Sequence, residues 1–264
     1  DRKEMEQELG LDQPIAVQYV RWLNAALHGD LGESYIGNKD IAQELMNRLP
    51  ITLKLSLSAL AVAVVFGVGG GIIMAAFRNR WPDKLLRFLS TLQLSVPGFW
   101  LALFLIVIFA EQLGWLPTSG LDQGVRSMIL PAIALASANV GSTSRIVRGN
   151  MISQMGEQYI IAANAKGISQ KAVMLGHAFR NSLMPIITLI GNYFGGILGG
   201  STIIESVFAL PGLGSYVLSA IQNRDYPVIQ VYVVWMAIIY VMVNLVTDII
   251  YHYLDPRIRL QENP

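Results

Sequence analysis

From residue 51 onward the chain alternates long apolar runs with short charged ones. A helix crossing the hydrocarbon core needs about 20 mostly apolar residues, and the runs 51 to 77, 86 to 110, 184 to 204 and 228 to 252 meet that length. Pro97 and Gly98 fall inside the second run and predict a kink, which a membrane helix tolerates where its neighbours satisfy the freed backbone groups. A fifth run, 128 to 147, carries Ser137, Asn139, Ser142, Thr143 and Ser144. Those side chains suit lipid poorly, so this run predicts a helix shielded inside the bundle. The pattern therefore predicts an all-α, polytopic membrane bundle with five spans. Residues 1–50 precede the membrane domain at 51–254, a long polar stretch at 148–182 interrupts it, and 255–264 form a tail.

Composition agrees with this picture. Of 264 residues 53% are apolar and only 14% charged, against about 25% charged in soluble domains. The net charge of +1 offers no field for holding a polyanion, which argues against a nucleic-acid partner. Without cysteine there is no disulfide framework, iron–sulfur cluster or thiol nucleophile. His28, His177 and His252 are too widely spaced for a short metal motif.

Orientation follows from the basic residues, which accumulate in short cytoplasmic loops. Arg78, Arg80, Lys84 and Arg87, then Arg145, Arg148, Lys166, Lys171 and Arg180, then Arg257 and Arg259 fall on one side. On the other side, 111–127 carries only Arg126, 205–227 carries only Arg224, and 1–50 holds nine acids against five bases. The first segment is thus expected outside and the tail inside. A chain that starts outside with Asp1 and no signal-peptide hydrophobic region implies a further span upstream, giving six.

The stretch from Glu157, EQYIIAANAKGISQKAVMLGHAFRNSLMP, is the most informative. Glu157 suits the positive end of a helix, Lys166 lies near its close, and Gly167 can take the left-handed position after it. Ala162, Ala163 and Ala165 keep this helix thin enough for a partner surface to approach closely. Ser169 is expected to cap a second helix running through His177, before Pro185 opens the next span. On spacing alone, an interfacial amphipathic linker accounts for the stretch equally well.

Ala162, Ala163 and Gly167 resemble the Ala-Ala, three residues, Gly core of the EAA loop of ABC importer permeases. Ile161 stands where that motif has its acid, and Gly167 to Pro185 spans 18 residues, longer than the general pattern. Both departures resemble the dipeptide, oligopeptide and nickel permease branch, as do Ala165 to Gly167 and His177 to Asn181. LGLDQP (Leu9 to Pro14), QYVRWL (Gln18 to Leu23), GDLGES (Gly29 to Ser34), PGLGSYVLSAIQNRDYPVIQ (Pro211 to Gln230) and DPRIR (Asp255 to Arg259) extend the likeness along the whole chain.

The resemblance implies the type I ABC importer transmembrane fold in a bacterial cytoplasmic (inner) membrane, with one more span before the first external segment. It implies a second, similar permease, two ATPase subunits that bind ATP and Mg, and an external solute-binding protein; this chain would hold no cofactor and work by alternating access. Glu157, Tyr159, Ala162, Ala163, Lys166 and Gly167 would then couple to an ATPase subunit. Pro211, Gly212, Gly214, Arg224 and Asp225 would form an outer gate and a contact for the binding protein; a rigid turn with a local ion pair is the plainer reading. Gly191, Gly195, Gly196, Gly199 and Gly200 have small-xxx-small spacings that let helices approach, expected at the seam between permeases or else along the pathway. Asn139 and Ser142 would add polar groups to that pathway or bond back to their own helix.

Two other classes compete. An intramembrane enzyme lacks support because HExxH, GxSxG and a Walker phosphate loop are all missing. A secondary transporter would show internal repeats and broken helices near the midplane, and no repeat is evident. For cargo, Phe99 to Phe109, WLPTSG and QNRDYPVIQ resemble the nickel side of the branch. A bare nickel ion would nevertheless lack soft or imidazole ligands here, so a peptide or a chelated metal fits better.

Overall fold

The computed structural model describes residues 13–254. The expected cytoplasmic tail 255–264, the LGLD part of the first external motif and the side chain of His252 lie outside the described residues. Within them the chain is helical: α1 (Ile15–Leu27), α2 (Ile41–Ala76), α3 (Trp81–Ser95), α4 (Gly98–Gln112), α5 (Val125–Met155), α6 (Gln158–Ala165), α7 (Gln170–Val207), α8 (Leu213–Asn223) and α9 (Tyr226–Leu254). The second half of α4, Ile106–Gln112, and the stretch Val173–Phe179 of α7 are wound as π-helix. Four helices, α2, α5, α7 and α9, are long and apolar enough to cross a membrane, and α3 with α4 makes a fifth span if counted together.

Three boundaries differ from expectation. First, α2 starts at Ile41, ahead of the apolar run, because the Asp40 side chain accepts from the Gln43 backbone N–H at 2.9 Å and caps it. Second, the run at 86–110 is not one kinked helix: α3 and α4 meet at 106°. The residue before a proline is pushed out of helical conformation, and Val96 is extended (φ −96°, ψ 124°) ahead of Pro97. Third, Pro185 does not open a span. It lies inside α7, which begins at Gln170 where Ser169 accepts from the Ala172 N–H.

The polar fifth run is the most enclosed, as expected for a helix shielded in the bundle. In the most apolar stretch of α5 44% is buried, against 11% for α9. Small residues explain how it gets inside. A Cβ on Gly67 or Gly71 of α2 would lie 2.7 Å from Thr143 Cβ or 2.5 Å from Val147 Cβ, and one on Gly141 would lie 2.8 Å from the Ser90 carbonyl oxygen of α3. These contacts are the close backbone approach that small-xxx-small spacing permits. The serines of α5 are satisfied locally: Ser137, Ser142 and Ser144 donate to the carbonyls of Ala134, Ala138 and Val140 at 2.8–2.9 Å.

The bundle has two distinct ends. At one, Ile41, Leu45, Leu213, Ala220, Val228 and Val231 gather the starts of α2 and α9 around α8. At the other, Val147, Met151 and Ile186 pack with Ile72 and Ala75, and a buried ion pair joins α3 to α5. Arg148 Nε and Nη2 donate to the two oxygens of Asp83 at 2.7 and 2.9 Å, and the Asn79 N–H donates to the same carboxylate at 2.9 Å. Asp83 is fully buried, and removing one partner of such a pair strands the other. Asp83→Ala is expected to cost up to about 3 kcal/mol, read as a lower unfolding temperature of the purified chain in detergent. The exchange Asp83→Arg with Arg148→Asp is expected to recover part of that loss.

Candidate functional site

The helix read from the sequence at 157–167 is α6. Glu157 stands at its N-cap without a side-chain hydrogen bond, Lys166 is its C-cap, and Gly167 takes φ +78°. That left-handed conformation lets the Gly167 N–H bond the Asn164 carbonyl at 3.0 Å and the Ile168 N–H the Ala163 carbonyl at 3.3 Å, closing the helix. A β-branched residue there would be strained.

α6 has an anchored face and an open face. Ile160 and Ala163 are buried against Val173 and Ala178 of α7, with Met155 and Ile168 alongside. Ala163 thus faces the chain's own core and is not available to a partner, because it lies on the side of α6 that meets α7. The open face carries Tyr159, Ile161, Ala162 and Ala165, with Ile161 65% exposed. Tyr159 donates to Gln154 Oε1 at 2.6 Å, and Glu157, Lys166 and Gly167 are exposed as well.

At the opposite end, the segment after α7 folds over a buried carboxyl group that the sequence reading did not single out. Glu205 is fully buried. Its Oε1 accepts from Thr52 Oγ of α2 at 2.8 Å and Ser201 Oγ at 3.0 Å, and its Oε2 accepts from the Ser215 N–H at 3.0 Å. Thr52 Oγ in turn accepts from the Leu213 N–H at 2.8 Å. The first amide groups of α8, left without partners inside the helix, are therefore satisfied by α2 and α7. Only the run STIIESV gave a hint, an acid inside an apolar stretch.

This packing changes the roles expected for the loop. Gly212 and Gly214 are buried, so neither touches a partner. A Cβ at Gly212 would lie 2.4 Å from Glu205 Oε2 and one at Gly214 2.4 Å from the Thr202 Cα. Their task is close packing. Pro211 and Arg224 are exposed. Asp225 is buried and, instead of pairing with Arg224, accepts from the Ser34 hydroxyl and from the Tyr35 N–H at 3.2 Å, tying the segment before α2 to the end of α8. Beside it the Arg48 guanidinium stacks 4.6 Å over the Tyr216 ring. Burial, then the charges of Glu44 and Asp225, raise the Tyr216 phenol above its usual pKa.

The glycines of α7 divide into two groups. A Cβ on Gly191 would meet Thr247 and one on Gly195 would lie 2.5 Å from the Tyr240 ring, both within this chain's own α9. Gly196, Gly199 and Gly200 have nothing within 4 Å of that position among the described residues. Gly195→Val is therefore expected to destabilise the chain by about 1–3 kcal/mol through overpacking, while Gly196→Ala is expected not to lower its unfolding temperature. Asn139 is half-buried, and Ser142 accepts from the Tyr193 hydroxyl of α7 at 2.7 Å. Ser142 thus joins two helices as well as bonding back to its own.

Comparison with known proteins fits this arrangement. The family described as binding-protein-dependent transport system inner membrane component matches residues 67–260. The glutathione transport system permease protein GsiC of Escherichia coli O6:H1 is 40% identical over 253 residues, covering 96% of this chain and 82% of the relative. A putative peptide transport system permease protein of Brucella abortus is 40% identical over 259 residues with the same coverage. Among solved structures, an inward-facing form of the MetNI methionine ABC transporter aligns with a TM-score of 0.65 over 80% of this chain and 96% of that chain, at 17% identity. An amino acid ABC transporter aligns at 0.63 and 16% identity, over 80% of this chain and 94% of that chain. Both share the type I importer transmembrane fold expected from the sequence. A multi-pass permease component of the bacterial inner membrane, the chain belongs to the binding-protein-dependent transport system family of ABC importers.

Proposed function

We propose that the chain forms half of a translocation path for small peptides and that α6 is where ATP-driven motion enters it. A second, similar permease forms the other half, two ATPase subunits hold ATP and Mg and perform the hydrolysis, and an external binding protein delivers the peptide at the α8 end. The relatives named for glutathione and for peptides support a peptide rather than nickel as cargo.

The observation that carries the coupling role is the two-sided build of α6. Its inner face is packed onto α7, a helix running through the bundle to Glu205, while its outer face presents Ile161 and Ala162 to whatever docks there. Movement imposed on the open face is passed to α7 and α5 without a flexible joint at the contact. ATP-driven closure of the ATPase pair thus biases a two-state bundle between outward and inward openings. The open glycines Gly196, Gly199 and Gly200 suit close approach by the second permease.

A photo-crosslinking amino acid placed at Ile161 in the assembled complex is expected to capture an ATPase subunit. Capture of lipid alone would contradict the docking role. Orientation has its own check in the cysteine-free chain. An impermeant thiol reagent added to intact cells is expected to label Tyr35→Cys and spare Gln170→Cys, and the reverse pattern would invert the topology.

A further inference from the structure

The helix α1 carries an apolar face that no part of the described protein covers. Projected at 100° per residue, Ile15, Tyr19, Leu23, Leu27 and Val20 share one broad arc, while Gln18, Arg21 and Asn24 lie outside it, with Val17 the one exposed large apolar residue among them. Ile15 is 84% exposed and Leu27 78%, and no residue of α1 is buried. The polar side is already engaged: Gln18 Nε2 donates to the Gln13 carbonyl at 2.7 Å and Arg21 Nη2 to Gln13 Oε1 at 2.8 Å. The helix contains no acidic residue.

Its place in the fold indicates what covers the arc. Trp22 packs on the cluster formed by Ile41 and Leu45 of α2 and Val228 and Val231 of α9, alongside Tyr232 and Trp235. α9 is the least buried of the candidate spans, with Val233, Val234 and Ile238 exposed just beyond that cluster. The uncovered arc therefore belongs to a helix that joins the bundle beside the exposed, apolar start of a spanning helix. Tyr19 and Trp22 are the residue types that favour the headgroup layer.

We propose that α1 lies in the membrane interface of the leaflet at the α8 end, with its apolar arc in the acyl boundary and Trp22 fixing it to the bundle. Lipid is the occupant, and because Arg21 points away from the arc, zwitterionic headgroups suffice. In this position α1 fixes the depth of the adjoining ends of α2 and α9.

The test uses the assembled transporter with cysteine-free partner subunits in phosphatidylcholine nanodiscs. Single variants Val20→Cys and Leu23→Cys on the arc, and Arg21→Cys and Asn24→Cys off it, carry a bimane label. Lipid with a doxyl group high on the acyl chain is expected to quench positions 20 and 23 at least about twofold more than positions 21 and 24, and aqueous iodide to show the opposite order. Iodide quenching at all four positions would mean an arc open to water and would overturn the proposal. Blue-shifted emission at 20 and 23 that neither reagent quenches would mean a protein cover, and would overturn it too.

Discussion

Ile161→Asp is expected to abolish uptake while leaving the permease folded and inserted. Ile161 is the most exposed large apolar side chain on α6 and takes no part in the buried contacts of Ile160 and Ala163. Burying an isoleucine at a docking surface contributes about 1.5–3 kcal/mol, and a carboxylate there must also be desolvated without a partner. At about 1.4 kcal/mol per tenfold, ATPase association is expected to fall by one to two orders of magnitude. The informative control is Ala163→Glu. That substitution places an acid against Val173 and Ala178, so it is expected to lower the unfolding temperature of the chain itself. Normal uptake by Ile161→Asp at normal expression would remove the coupling role from this face.

Glu205→Ala is expected to release the segment 209–215 from the end of the bundle. The change deletes the acceptor for the Ser215 N–H and for two hydroxyls, and each buried donor left unpaired costs about 1–3 kcal/mol. Thr52 would also lose the partner that orients it toward the Leu213 N–H. The expected readouts are an unfolding temperature lower by several degrees and loss of uptake. Glu205→Gln keeps the shape and one acceptor oxygen, which can still serve the Ser215 N–H while its NH₂ turns toward the hydroxyls of Thr52 and Ser201. This variant is expected to keep most of the stability. Equal loss in both variants would mean that the network demands two acceptor oxygens.

What could be read from the sequence was local, and what escaped was not. Glu157, Lys166 and Gly167 marked the ends of α6 because capping depends on neighbours a few residues away, and Ser169 marked the start of α7 for the same reason. The shielding of α5 followed from serines unsuited to lipid. Yet the inward turn of Ala163 depends on where α7 passes, and in a motif recognised by its alanines the two faces look alike. Thr52 and Glu205, and Asp83 and Arg148, are joined only by folding, and nothing in their local spacing pairs them. Gly212 and Gly214 had the look of turn residues, whereas Glu205 and Thr202 set their need for glycine. Pro185 misled in another way: with α7 already begun at Gln170, the proline sits in a helix whose course packing decides.

In the proposed mechanism this chain conducts peptide only when ATPase subunits work on it through α6. The most direct test is uptake by proteoliposomes containing the chain, its partner permease, the ATPase pair and the binding protein, with radiolabelled glutathione as the probe and other short peptides in parallel. The expected result is uptake that requires both ATP and the binding protein, and that disappears in Ile161→Asp while the complex stays in the membrane. Peptide accumulation by the permease pair alone, driven by an ion gradient without ATP, would contradict it.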